Sequence, residues 1–181
     1  MSDPNQHPVE AALDISIPDV EPFVAAFRKK YDPSAAKGMP AHITINYPFL
    51  PGADPNDRLY QKLTELFAEI DCFTFTFNRL AKFPGVIYLS PEPESPFKQL
   101  IDSVANRFPE SPPYGGAFDN VVPHLTIAHA DDEELLASIE RQLADLAPQH
   151  LPMSIQVEQV WLMDNKTGRW QERKVFQLAR S

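Results

Sequence analysis

Apolar residues recur along this chain with two periods, and the periods alternate. In ALDISIP, Leu13, Ile15 and Ile17 alternate with polar positions, which predicts a half-buried strand over 12–18. From Asp19, a candidate N-cap, Val20, Phe23, Val24, Phe27 and Tyr31 return at helical spacing. A strand follows over 41–47. After the turn PGADP, Leu59, Leu63, Leu66, Phe67 and Ile70 mark a second helix. Phe73, Phe75 and Phe77 alternate strictly within a strand over 72–80, joined through AKFPG to another over 85–89. Phe97, Leu100, Ile101, Val104 and Phe108 share one face of a third helix over about 95–108. Then come a strand over 123–128 and a helix in DDEELLASIERQLADL, whose acidic first turn suits the helix dipole. Strands over 154–163 and 173–178 flank the turn DNKTG.

The element order thus repeats, over about 19–90 and again over about 95–180. Antiparallel strands with accompanying helices predict an α+β fold. Two such units pack most simply as a bilobal molecule: two antiparallel sheets related by a pseudo-two-fold axis, helices on their outer faces, and a cleft between them. The prolines punctuate short elements and leave no long linker, so residues 1–181 read as a single domain.

The repeated units share one short motif. PAHITINYPF holds His42-Ile43-Thr44, and VPHLTIAHA holds His124-Leu125-Thr126. In a strand, His42 and Thr44 share one face, as do His124 and Thr126, while the intervening apolar residues face a core. Two-fold related lobes bring both His/Thr faces to one cleft. Two imidazoles and two hydroxyls there suit phosphoester cleavage. One imidazole accepts a proton, the other donates one, and the hydroxyls hold phosphate oxygens. A single His-x-Thr reads as an ordinary strand residue pair; the duplication raises it to a candidate site.

Other chemistries find less support. His7, His42, His124, His129 and His150 have no metalloprotease spacing, and Cys72 is the only cysteine, so neither a zinc site nor a disulfide is expected. No GxSxG supports a serine triad. By alternation His129 falls on the strand face opposite His124, and His150, between two prolines, reads as loop. The net charge of −9 argues against a broad duplex-binding surface and favours small or end-bound substrates. The basic stretch from Lys166 to Arg180 is either a local patch or a solvated hairpin face. No apolar run approaches a membrane span, and the polar N-terminus is unlike a secretory leader, so a cytoplasmic protein is expected.

With HITI at His42 and PHLTIA at Pro123, the sequence resembles the two-histidine (2H) phosphoesterase superfamily, in particular its 2′-5′ RNA ligase-like and cyclic phosphodiesterase members. ALDISIPD, NRLAKFPGVIYLSPEPESPFKQLIDSV and VEQVWLMDNKTGRWQERKVFQL extend the resemblance over nearly the whole chain. It implies a bilobal fold, catalysis by His42 and His124, and phosphate binding by Thr44 and Thr126. It also implies action without metal or cofactor on a 2′,3′-cyclic phosphate or a 2′-5′-linked nucleotide or RNA end. For hydrolysis, His42 is assigned here as base and His124 as acid. The alternatives are an RNA 2′-5′ ligase and a non-catalytic nucleotide or RNA binder. A monomer without a stable protein partner is expected. The first motif continues NYPFLPG instead of the apolar-glycine continuation of many RNA ligase-like members, which marks Asn46 for the His/Thr face. Tyr47, Phe49, Phe83 and Trp170 are candidates to stack on a base, and Lys82 and Arg169 to contact phosphates, with core packing and solvated surface as their competing readings.

Overall fold

The computed structural model describes residues 9–52 and 55–180. The polar N-terminus with His7, and part of the PGADP turn, lie outside the described residues. The elements are β1 (Ala11–Ser16), α1 (Glu21–Tyr31), α2 (Pro33–Ala36), β2 (His42–Asn46), α3 (Asp57–Ala68), β3 (Phe73–Phe83), β4 (Val86–Glu92), α4 (Ser95–Arg107), β5 (Leu125–His129), α5 (Glu133–Leu146), β6 (Met153–Val157), β7 (Gln159–Asp164) and β8 (Gln171–Gln177). They build two four-stranded antiparallel sheets, ordered β2-β1-β7-β8 and β5-β4-β3-β6. The α+β, two-sheet expectation holds.

Side-chain caps explain where two of the longer helices begin. Asn56 caps α3 by accepting from the Leu59 N–H at 3.0 Å, and Asp132 caps α5 through the N–H groups of Glu134 and Leu135. Asp19 does not cap α1: it lies in a short 3-10 turn over Pro18–Val20 that precedes the helix.

Two expectations are corrected. The strand expected over 154–163 is two strands, broken at Glu158, and they belong to different sheets. A continuous apolar alternation cannot reveal that the chain changes sheets. For the same reason the repeats are not the lobes. The segment over 19–90 supplies β2 to one sheet but β3 and β4 to the other, and the closing hairpin β7–β8 returns to pair with β1.

The two sheets nonetheless correspond. Each has its motif strand, β2 or β5, at one edge, beside a neighbour, β1 or β4, that precedes it in sequence through a helix, α1 or α4. These helices cross over. α1 packs on β5 and α4 on β2, burying Phe23 and Val24 on one and Phe97, Leu100, Ile101 and Val104 on the other. Each motif strand is therefore backed by a helix that follows a strand of the opposite sheet. The two edge strands also touch each other. The apolar partners of the motifs, Ile43, Leu125 and Ile127, are fully buried in the core.

Candidate active site

The two motif histidines are held by the same bond. Nδ1–H of His42 donates to the Pro40 carbonyl at 2.7 Å, and Nδ1–H of His124 donates to the Val122 carbonyl at 2.7 Å. A carbonyl only accepts, so each Nδ1 carries hydrogen and each Nε2 is the nitrogen free to exchange a proton. Tying a ring to the carbonyl two residues earlier requires only local backbone, which is why both copies of the motif reproduce it.

A second shared device follows each threonine. Asp14 opposes Thr44 but Leu13 opposes Asn46, leaving Ile45 as an extra residue in β2. Tyr88 opposes Thr126 but Ile87 opposes Ala128, leaving Ile127 as an extra residue in β5. Each extra residue is a bulge, and a bulge resets the alternation of faces. It turns Asn46 and Ala128 into the core and returns Tyr47 and His129 to the cleft.

Asn46 is accordingly corrected. It is fully buried, and its Nδ2 donates to the Ser111 carbonyl at 2.9 Å, tying β2 to the loop after α4. His129 is corrected in the other direction: it lines the His124 cavity instead of the opposite face.

Beyond these devices the halves differ. A cavity of about 280 Å³ at His42 and Thr44 is lined by Glu10, Asp14, Lys37, Tyr47 and Trp170. The Asp14 carboxyl lies 3.9 Å from His42 Nε2, and among the described residues neither of its oxygens has a hydrogen-bond partner. Burial pushes the Asp14 pKa up, opposed by the charge of His42 and by the nearby Thr44 hydroxyl. Burial, with Glu10 as its partner, pushes the Tyr47 phenol up to about 12, so it remains a donor.

A cavity of about 430 Å³ at His124 and Thr126 is mostly apolar, with Phe83, Val86, Phe118 and Val122 in its wall. Tyr88 stands where Asp14 stands in the other half. Its ring stacks on Phe83 at 4.2 Å, and both rings meet His124 edge-on, at 5.5 and 5.2 Å. Burial pushes the His124 pKa down. The Val122 hydrogen bond opposes this, while the charges of His42 and His129 add to it.

Tyr114 stands between the halves. Its backbone N–H donates to the Tyr47 carbonyl at 2.6 Å, and its ring lines the His124 cavity. Burial and then the Asp14 charge push the Tyr114 pKa up, opposed by the nearby Thr44 hydroxyl. Its φ of 52°, in the left-handed region, is uncommon for a side chain of this size and directs it into the cleft.

Of the residues expected to surround the motifs, Tyr47 and Trp170 line the His42 cavity, meeting edge-on at 6.2 Å, and Phe83 lines the His124 cavity. Phe49 does not: it is buried in the core against Phe108. Lys82 points away and pairs with Glu140 of α5 at 2.8 Å. Arg169 lies in a separate groove beside Gly38 and Ala36. Sequence reasoning missed Asp14, Tyr88, Tyr114 and His129. Asp14 alone left a signal, an acid between Leu13 and Ile15 in an apolar strand. Among the described residues no group of three or more His, Cys, Asp or Glu is placed to hold a metal ion, and no helix is long and apolar enough to cross a membrane.

The model of the 2′-5′ RNA ligase superfamily matches residues 17–169, most of the chain. The chain belongs to that superfamily. As a 2H protein it resembles a Bacillus licheniformis protein bearing the name "putative phosphoesterase", with 29% identity over 161 residues, 85% of this chain and 89% of that protein. Its fold matches that of Escherichia coli LigT with a TM-score of 0.59 at 18% identity, covering 96% of this chain and 99% of LigT. TT0787 of Thermus thermophilus matches with a TM-score of 0.58 at 16% identity, over 95% and 99% of the two chains. LigT structures are described as complexes with 3′-AMP, with ATP and with phosphate. The family and the names of its relatives support a phosphoesterase-type 2H enzyme, and the LigT-like fold agrees with the family.

Proposed function

We propose that this 2H protein cleaves a phosphodiester without metal, using His42 and His124 as an acid–base pair and Thr44 and Thr126 as donors to the phosphate oxygens. Its substrate class is a 2′,3′-cyclic phosphate or a 2′-5′-linked nucleotide or RNA end. The observation that carries the reading is the matched pair of Nδ1–H bonds, which leaves Nε2 free on each of two abutting strands. In the hydrolysis of a cyclic phosphate, one Nε2 accepts a proton from water as its oxygen bonds to phosphorus. The bond from phosphorus to the departing ribose oxygen breaks, and the other Nε2–H protonates that oxygen. The threonine hydroxyls donate to the non-bridging oxygens as their charge grows. The nucleotide and phosphate complexes of the LigT fold relative support a substrate of this kind.

The test is a panel of 2′,3′-cyclic nucleotides and 2′-5′ dinucleotides, assayed with and without EDTA. Turnover is expected in both conditions and lost in His42→Ala and His124→Ala, each still folded by circular dichroism. Full activity in either variant, or loss of wild-type activity on chelation, would overturn the reading.

A further inference from the structure

We infer that Glu21 is a positioning residue for His42: its carboxylate fixes the peptide that holds the ring, and so keeps Nε2 turned to the cleft. This rests on the acid–base pair proposed above and holds whichever way the proton moves. The tie from His42 Nδ1–H to Pro40 is local, but the orientation of that carbonyl is not. The Pro40 carbonyl and the Ala41 N–H belong to one planar trans peptide and point in opposite directions. The Ala41 N–H donates to Glu21 Oε1 at 2.7 Å. Anchoring one end of the plane therefore aims the other at the imidazole. Negative charge at the N–H also polarises the peptide and makes its carbonyl a stronger acceptor. Glu21 thus acts on His42 through a peptide bond, much as a carboxylate acts directly on the imidazole of a hydrolytic triad by fixing its tautomer.

The neighbouring groups serve the same end. Glu21 and Arg28 lie about two turns apart on one face of α1. Buried Arg28 donates through Nε and Nη2 to Asp32 at 3.1 and 2.9 Å, and through Nη2 to the Met39 carbonyl at 3.2 Å, with Nη1 3.7 Å from Glu21. The peptide between Met39 and Pro40 has no N–H, because its nitrogen is the proline's, and Arg28 holds it by its carbonyl instead. Both peptides that lead into His42 are thus fastened to α1, the helix that packs on β5 and the other motif. The His124 half cannot use this device. Its ring is tied to Val122, and the nitrogen of that peptide belongs to Pro123, with no hydrogen to anchor. There the proline ring restricts the backbone covalently. The first motif has Ala41 at the matching place, and Glu21 supplies the restraint.

NMR and kinetics on the whole protein test this. In the wild type, hydrogen exchange at the Ala41 amide should be slow, and both neutral rings should carry their proton on Nδ1. Ala41 exchange as fast as that of an exposed loop amide would overturn the inference. The Glu21 side chain is 34% exposed, so truncating it leaves the core intact. In Glu21→Ala the His42 ring should lose its single tautomer, read from its nitrogen shifts, while His124 keeps its own. Turnover of a 2′,3′-cyclic nucleotide should fall by about tenfold, through kcat more than KM. Glu21→Gln, which retains an accepting oxygen, should keep the tautomer and most of the turnover. An unchanged His42 tautomer in Glu21→Ala, an equal change at His124, or a Glu21→Gln protein as impaired as Glu21→Ala would overturn it. If the wild type turned over no such substrate, the proposed function would fail instead, and the tautomers would still decide the role of Glu21.

Discussion

The His42 half and the His124 half are built alike in backbone and unlike in surroundings. Each ring is tied by Nδ1–H to the carbonyl two residues earlier, and each threonine is followed by a bulge. Yet one half places a buried carboxyl across from its threonine and the other a stacked tyrosine. Symmetry of the main chain brings two equal imidazoles together. Asymmetry of the neighbouring strand gives them unequal surroundings, a carboxyl beside one and two aromatic rings beside the other.

The largest effect should come from the shared elements. His42→Gln and His124→Gln should each lower kcat/KM by about 10²–10⁴-fold on a cyclic nucleotide. Similar losses would confirm that both halves are used; a loss confined to one would break the comparison. Thr44→Val and Thr126→Val should each cost about 10²-fold, mainly in kcat, if both hydroxyls donate to a phosphate whose charge grows at the transition state.

The bulge position offers a test of stability. Asn46 uses it for a buried hydrogen bond, whereas its counterpart Ala128 does not. Asn46→Ala should therefore destabilise the protein by about 1–3 kcal/mol in urea unfolding, by leaving the Ser111 carbonyl unpaired.

A smaller and signed effect belongs to Asp14. Its pKa is raised in the folded protein, so it costs no stability below its unfolded value, and the cost grows as pH rises through the folded one. Asp14→Asn should raise the thermal midpoint at neutral pH, and the gain should vanish below about pH 4. Smallest of all, Lys82→Ala should cost at most about 1 kcal/mol, since its ion pair with Glu140 is half exposed, and should leave turnover unchanged.

Much of this was legible along the chain. Alternation and helical spacing located nearly every element within a few residues, because each buries one face of known period. The motifs His42–Thr44 and His124–Thr126 were legible because the chain states them twice. Tyr47, Phe83 and Trp170 were found as aromatic candidates near them. Asn46 and His129 were misread because a single extra residue in a strand exchanges its faces, and no local pattern announces which residue will be extra; Phe49 was misread because it lies beyond the end of β2, where strand alternation no longer applies, and packs into the core. Lys82 and Arg169 were misjudged because where a long charged side chain lies depends on which helix or loop packs nearby.

By itself the sequence determined the elements, the duplicated motif and the ring tie that frees each Nε2, since all of these depend on residues a few positions apart. Tertiary structure decided the rest. Strand pairing set Asp14 against Thr44 and Tyr88 against Thr126, the return of the closing hairpin completed the first sheet, and the loop after α4 brought Tyr114 between the halves. These contacts join residues far apart in the chain, and it is they that make two similar histidines chemically different.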